Sequence, residues 1–146
     1  MKYSSEDLER LIPQRKPFMM VDTFEPTGDN SATTALCLGH DNYFVIPGGE
    51  MAESGMIEHM AQSVSALSGY KALLAATEAS GAETGPPVGI IGEVKHFECL
   101  RRPKVSERIV TSVELGLSFG NVTMAKCEST VDGATVGRIS LKVFMQ

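Results

Sequence analysis

The clearest periodicity in the chain lies in a proline-free stretch that runs from about Ala52 to Ala76. Apolar residues recur there at steps of three, four or seven, which aligns them along one face of a helix with 3.6 residues per turn. These residues are Met56, Met60, Val64, Leu67 and Leu74. The pattern predicts one long central helix with a strongly apolar face.

Runs of β-branched and apolar residues on both sides of this helix predict strands. Two strands come before it, at Phe18 to Phe24 and at Ser31 to Leu38, and the turn between them makes a hairpin. Four strands come after it, at Val88 to Phe97, Val105 to Leu117, Val122 to Val131 and Ala134 to Met145.

The remaining segments are predicted as connections. Asp132-Gly133 is a strong signal for a tight hairpin, 39–49 and 78–87 have the composition of loops, and a short N-terminal helix ends at about Leu11. The order of the elements is α+β rather than alternating. We therefore predict a single domain, residues 1–146, in which an antiparallel sheet of about six strands curls around one long central helix.

Composition and charge limit the classes of function that this protein can have. The 146 residues include 42% hydrophobic and 21% charged residues, a mixture typical of a globular domain. The net charge of −5 disfavours general nucleic-acid binding. No stretch has the length of a membrane helix and no apolar signal core precedes the domain, so we predict a cytoplasmic protein with no membrane association.

Cysteine spacing and short motifs give no sign of a metal or cofactor. Cys37, Cys99 and Cys127 are widely separated, so we predict reduced and mostly buried thiols rather than a zinc site or a disulfide framework. The glycines form neither a phosphate loop nor a nucleotide fingerprint. We therefore expect chemistry that uses no metal and no cofactor.

Three blocks of sequence resemble one family of enzymes. Residues 11–22 read LIPQRKPFMMVD, residues 58–62 read EHMAQ, and residues 94–105 read VKHFECLRRPKV. Each block is similar to a segment of the 3-hydroxyacyl-acyl carrier protein dehydratases, in the same order. The resemblance implies the hotdog fold, normally a dimer, and a catalytic role for Glu58.

The chain departs from this family at the catalytic histidine. The family carries a His-Phe-Pro-Gly loop about fourteen residues before the glutamate, and Phe44 stands at that distance from Glu58 here. His40 is the only histidine upstream of the helix. The chain therefore looks like a divergent branch, similar to the dehydratases that accompany aryl polyene and flexirubin-type pigment clusters.

Eliminating water from a 3-hydroxyacyl thioester requires a base for the α-proton, an acid for the departing hydroxyl and donors for the thioester oxygen. Burial favours the protonated form of a carboxyl, which suits Glu58 as the acid. Gln62 lies one turn further along nearly the same side of the helix. Gln62, Phe44 and the first-turn amide of Gly55 are the predicted substrate contacts. From periodicity alone, Glu58 and Gln62 also fit a solvated helix face.

The three histidines differ in their predicted roles. His40, beside Asp41, is the candidate for a displaced general base, and its alternative is an ordinary loop histidine. His59 points about 100° away from Glu58 on a helix, so we do not expect it in the same pocket. His96 lies within a predicted strand and is expected to be structural or exposed.

The densest positive charge lies around the turn after the third predicted strand. It consists of Lys95, Arg101, Arg102 and Lys104, and Arg15 and Lys16 extend it if they lie nearby. Acyl carrier proteins are strongly acidic, so this basic cluster is the predicted carrier-docking surface. Its alternative is a solvated turn.

Three functions remain open at this point. The leading one is a dehydratase that converts a 3-hydroxyacyl thioester into the trans-2-enoyl thioester, in fatty-acid or polyene and pigment-type synthesis. The second is a hotdog thioesterase in which a lone carboxylate activates water. The third is an inactive hotdog subunit that binds acyl chains or pairs with an active dehydratase, so that the assembly is a homodimer or a heterodimer.

Overall fold

The computed structural model describes residues 2–80 and 89–145. One long helix, α1 (Glu53–Ser80), follows a 3-10 helix (Ser5–Arg10). The strands are β1 (Tyr3–Ser4), β2 (Thr23–Gly28), β3 (Ser31–Cys37), β4 (Val45–Ile46), β5 (Glu50–Met51), β6 (Gly89–Cys99), β7 (Arg108–Phe119), β8 (Val122–Val131) and β9 (Ala134–Met145). None of the helices described is long and apolar enough to cross a membrane.

Seven of these strands form one antiparallel sheet that packs around α1. Their order is β1-β2-β3-β7-β8-β9-β6, and β4 pairs with β5 in a separate small ladder. Helix α1 contacts β2, β3 and all of β6 to β9. The predicted α+β hotdog architecture is therefore confirmed, with the two-residue β1 as the additional strand.

Helix α1 is enclosed more completely than its periodicity predicts. Met56, Met60, Val64 and Leu67 are buried as expected, but Leu74 is 42% exposed because the last turns of the helix extend beyond the core. Between residues 59 and 67 every side chain on the helix is buried, including several polar ones. The prediction of a single apolar face is therefore wrong for this part of the helix.

The first long strand begins later than predicted. Residues 18–20, which we call the strap, lie across α1 instead of pairing in the sheet, and β2 starts at Thr23. The reason is that peptide groups of the strap bond to side chains of the helix: Gln62 binds Phe18 O and Met20 N, and His59 binds Met20 O. An apolar, strand-like sequence therefore forms three of its hydrogen bonds with the helix.

Other boundaries follow local backbone geometry. Asp132 and Gly133 both have positive φ, 51° and 81°, as the predicted tight hairpin requires. Strand β7 begins at Arg108 rather than at Val105, because Ser106 adopts a φ of 77° in a turn. Most of the predicted loop 78–87 lies outside the described residues, and α1 extends to Ser80.

The three cysteines are free and differ in exposure. Cys127 is buried, Cys99 is half-buried and Cys37 is exposed. The prediction of mostly buried thiols is therefore wrong for Cys37, which stands at the last position of β3 with its side chain outside the core.

Candidate functional site

Glu58 is half-buried and lines a pocket of about 330 Å³ between α1 and one edge of the sheet. The helix supplies four of the lining residues, strands β6 and β9 supply three, and the segment before the strap supplies one. They are Gln14, Glu58, Ala61, Gln62, Ser65, Ile90, Ile91 and Val143. Small and apolar walls with a few polar groups are typical of a small-molecule site.

Gln62 connects Glu58 to the strap. Its Nε2 donates to Phe18 O at 2.7 Å and to Glu58 Oε1 at 2.8 Å, and its Oε1 accepts from Met20 N at 2.6 Å. Reversing the amide would place its oxygen against a carbonyl and its nitrogen against an N–H, so the orientation is unambiguous. Gln62 is buried, and its side chain is held at both ends.

This arrangement distinguishes the two oxygens of Glu58. Oε1 accepts a hydrogen bond from Gln62, whereas Oε2 makes none with any residue that the structure describes. An oxygen that already accepts an N–H donor is the poorer place for a proton. A protonated Glu58 therefore carries its hydrogen on Oε2.

His59 faces the sheet instead of the pocket, as its position on the helix predicts. Its Nδ1 lies 2.6 Å from Met20 O and its Nε2 lies 2.7 Å from Thr111 Oγ1, which in turn lies 2.6 Å from Ser129 Oγ. The ring is only 1% exposed, and burial lowers the pKa of His59. It is neutral near pH 7, with two hydrogen-bond partners.

The structure does not bring His40 into the pocket with Glu58. His40 is exposed in the loop after β3, and no hydrogen bond joins it to Asp41 in the part of the chain described. His96 is also exposed, in a bulge of β6 where its φ is 52°. The role of His40 as the base stays a prediction.

Phe44 and Gly55 are packed against each other. A Cβ built on Gly55 would lie 2.5 Å from Phe44 Cβ, so only glycine fits beneath this ring. The Gly55 amide, predicted to face a thioester oxygen, donates to Ala52 O at 2.9 Å. Neither residue lines the pocket of Glu58, and their contacts with substrate stay predictions.

The basic cluster is largely paired with glutamates. Arg101 donates to both carboxylate oxygens of Glu107, at 2.8 and 3.1 Å, and this guanidinium lowers the pKa of Glu107. The other two ion pairs of the cluster, each 3.3 Å long, are Arg102 with Glu53 and Lys95 with Glu93. Lys104, the fourth member, is exposed. The surface is therefore less positive than its sequence indicates.

Arg15 has a structural role. Its guanidinium forms an ion pair with Glu9 at 2.7 Å and donates to the carbonyl oxygens of Glu9, Ile12 and Gln14. It ties the 3-10 helix to the segment before the strap.

Sequence reasoning missed the contribution of His59, Thr111 and Ser129. The one local signal was the spacing of His59 and Gln62, three residues apart on a helix and so facing a common neighbour. No group of three or more metal-binding side chains occurs within residues 2–80 and 89–145.

Comparison with known proteins agrees with this architecture. The dehydratase heterocomplex ApeI:P from Xenorhabdus doucetiae matches with a TM-score of 0.81 at 17% identity, over 95% of this chain and 90% of that chain. An HP0420 homologue from Helicobacter felis matches with a TM-score of 0.70 at 8% identity, over 97% of this chain and 88% of that chain. At these identities, the likeness establishes the fold.

A third solved structure of similar fold is described as a thioesterase. A hypothetical thioesterase from Streptococcus pneumoniae TIGR4, solved with coenzyme A, has a TM-score of 0.62 at 10% identity and covers 84% of each chain. No curated protein sequence is significantly similar to the chain.

The long helix and the antiparallel sheet that packs around it define a protein of the hotdog class. The chain belongs to the ApeP-like family, described as ApeP dehydratase, whose profile matches residues 6–146. The predicted membership of a dehydratase family is thereby confirmed.

Proposed function

We propose that this chain is a dehydratase subunit that eliminates water from a 3-hydroxyacyl thioester, with Glu58 as the general acid. The observation that carries the proposal is the state of the Glu58 carboxyl in the pocket. Its Oε1 is held by Gln62, and its Oε2 has no partner among the described residues. A single oriented oxygen is what protonation of a leaving hydroxyl requires.

In the proposed reaction, Glu58 acts on the leaving hydroxyl. A base removes the α-proton, the electron pair forms the new C=C bond, and the C3–O bond breaks. Glu58 Oε2 gives its proton to the departing oxygen, which leaves as water. Gln62 still donates to Oε1 in the resulting carboxylate, and a hydrogen bond to a charged acceptor is stronger than one to a neutral acceptor. Gln62 therefore favours the proton transfer.

The general base must be a group other than the described residues that line the pocket of Glu58. Among the described residues that line it, Glu58 is the single ionisable group, and no imidazole is present. We propose that a second hotdog subunit completes the site, either another copy that brings His40 or a different subunit. The similar Xenorhabdus dehydratase is a heterocomplex, ApeI:P, and this supports the second arrangement.

We propose an acyl carrier protein as the carrier of the thioester, in fatty-acid or polyene-type synthesis. Arg102 is the more available arginine of the basic cluster, because its bond to Glu53 is long whereas Arg101 is held by both oxygens of Glu107. Arg102→Ala should therefore weaken carrier binding more than Arg101→Ala. Equal affinities for both variants and the native protein would argue for docking elsewhere.

The test of the acid uses Glu58→Gln. The protein is assayed with a 3-hydroxyacyl-carrier thioester, alone and mixed with a partner dehydratase subunit, and the trans-2-enoyl product is measured. We expect the variant to lose at least about 100-fold in rate, the usual contribution of a positioned acid. Glu114→Gln makes the same change on an exposed part of β7 and should leave the rate unchanged. A fully active Glu58→Gln protein would refute the proposal.

A thioesterase is the second candidate, favoured by the similar fold of the Streptococcus hypothetical thioesterase solved with coenzyme A. Glu58 Oε2, which has no partner among the residues that the structure describes, would then activate a water molecule. Release of free thiol from a 3-hydroxyacyl thioester without loss of the hydroxyl would identify this activity.

The absence of an imidazole from the described pocket wall favours a third candidate, an inactive subunit. In that case the mixed complex would retain full dehydratase activity when this chain carries Glu58→Gln. The same mixed assay therefore separates this candidate from the dehydratase.

A further inference from the structure

The strap is attached to α1 through both peptide groups of one residue. Met20 N donates to Gln62 Oε1 at 2.6 Å, and Met20 O lies 2.6 Å from His59 Nδ1. Met20 is completely buried, so water does not replace either partner. The position of this residue therefore depends on two side chains of the helix, and one of them is the residue that orients Glu58.

The direction of every hydrogen bond in this connection can be assigned. A carbonyl oxygen only accepts, so Nδ1 of His59 carries the hydrogen that faces Met20 O. Nε2 of the neutral ring is then an acceptor, and Thr111 must donate to it at 2.7 Å. The Thr111 oxygen in turn accepts from Ser129 at 2.6 Å. The Met20 carbonyl therefore selects the tautomer of His59, and the two hydroxyls of the sheet orient to match it.

The connection continues from Met20 to the reacting group. Gln62 has two N–H hydrogens, of which one goes to Phe18 O and the other to Glu58 Oε1. If Met20 moves together with Phe18 as part of the strap, the Gln62 amide loses both of its bonds to the strap and can turn away from Glu58. Displacement of the strap is thus transmitted to the carboxyl through one buried side chain.

We propose that His59 is a positioning residue for Glu58, acting through the Met20 peptide and the Gln62 amide. His59 itself faces the sheet and does not line the pocket. The inference rests on the proposed role of Glu58 as the acid. It predicts that loss of the bond from His59 Nδ1 to Met20 O lowers kcat, whereas loss of the bond between Nε2 and Thr111 lowers mainly the stability of the fold.

Two substitutions separate the two sides of the ring. In His59→Asn the amide nitrogen stands close to the place of Nδ1, so the bond to Met20 O is kept and that to Thr111 is lost. In His59→Gln the amide reaches the place of Nε2, so the bond to Thr111 is kept and that to Met20 is lost. Thr34→Val is the control, because it removes another buried helix–sheet hydrogen bond, 2.7 Å to Ser63, without touching the strap.

All variants are compared at equal amounts of folded protein in the assay with a 3-hydroxyacyl-carrier thioester. We expect His59→Gln to lower kcat about 10- to 100-fold with KM within about 3-fold, since small misplacements of a catalytic group have effects of this size. His59→Asn and Thr34→Val should keep kcat within about 3-fold of the native value. Equal losses for His59→Gln and His59→Asn would overturn the proposal.

A double variant tests whether His59 acts through Glu58. If it does, His59→Gln has no further effect on the residual rate of a Glu58→Gln protein, because the group that it positions is already gone. If the effects multiply, His59 acts by another route and the proposal fails. Full activity of Glu58→Gln alone would instead refute the proposed acid, so the two failures are distinguishable.

A further measurement uses the native protein and therefore does not depend on whether a variant folds. Nitrogen-15 NMR of the histidine ring should show the hydrogen on Nδ1, together with slow exchange of the Met20 amide. A hydrogen on Nε2, or a Met20 amide that exchanges as fast as exposed amides, would contradict the connection itself.

Discussion

Replacing Gln62 with methionine tests the connection between strap and helix through stability rather than activity. Methionine has a similar length, no donor and only a weakly accepting sulfur, so the change removes three hydrogen bonds while it keeps most of the side-chain volume. Met20 N is left buried without a partner, whereas Phe18 O is only partly buried and can bind water. The Met20 amide therefore accounts for most of the expected loss.

The expected loss in the free energy of unfolding follows from how deeply Met20 N and Phe18 O are buried. An orphaned buried donor costs about 1–3 kcal/mol, and the partly buried carbonyl adds at most about 1 kcal/mol. A total near 3 kcal/mol is a large fraction of the roughly 5–15 kcal/mol that stabilises a domain. For a chain of this length it corresponds to a fall in Tm of about 6–12 °C.

Thermal unfolding followed by circular dichroism, with urea titration for the free energy of unfolding, measures this directly. Lys71→Met is the matched control, because it removes an exposed hydrogen bond from the same helix to Asn30 and should change the free energy by less than about 0.5 kcal/mol. A Gln62→Met protein that melts within about 2 °C of the native one would refute the reasoning. So would a control that loses as much stability.

Three further predictions concern groups inside the core. Because burial lowers the pKa of His59, the unfolded chain binds a proton at low pH that the folded chain does not. The contribution of the neutral ring to the free energy of unfolding is therefore present above about pH 6.5 and is lost as the pH falls. Melting curves between pH 7.5 and 5 should show Tm falling with pH, and His59→Asn should weaken this dependence. Gly69→Ala should destabilise the fold by at least about 3 kcal/mol in urea titration, because a Cβ would lie 2.0 Å from Leu11 O, and near-native stability would contradict that close approach. Burial raises the pKa of Cys127 to about 12, so iodoacetamide should label the exposed Cys37 in the folded protein and reach Cys127 only after unfolding, and equal labelling would contradict this burial.

The elements that sequence could predict are those set by local periodicity. The long helix, the four C-terminal strands and the Asp132-Gly133 hairpin depend on neighbours in the chain, and they lie close to their predicted places. The sequence of the strap predicts a strand because it is apolar and extended. Its hydrogen-bond partners, His59 and Gln62, lie about forty residues away, and nothing local in 18–20 indicates them.

The candidate site also combines features that the sequence predicts with features that depend on the whole fold. Glu58 and Gln62 lie one turn apart on a helix, so their common direction follows from the sequence, and their hydrogen bond agrees with it. The pairing of Arg102 with Glu53 connects distant segments and could not be anticipated. The bonds that join His59 to Met20 and Thr111 depend on how the sheet closes over the helix, which is a property of the whole fold.

The strand order has a consequence for how the protein reaches this fold. Strand β3 lies beside β7 along its whole length, so the sheet joins an early segment of the chain to a late one across the intervening helix. Bringing such distant segments together costs loop-closure entropy before any contact between them is gained, which slows folding in proteins with many non-local pairings. Refolding should therefore be limited by the meeting of these two strands, and a substitution at Ala35, opposite Val110, should change the refolding rate more than one in the Asp132-Gly133 turn.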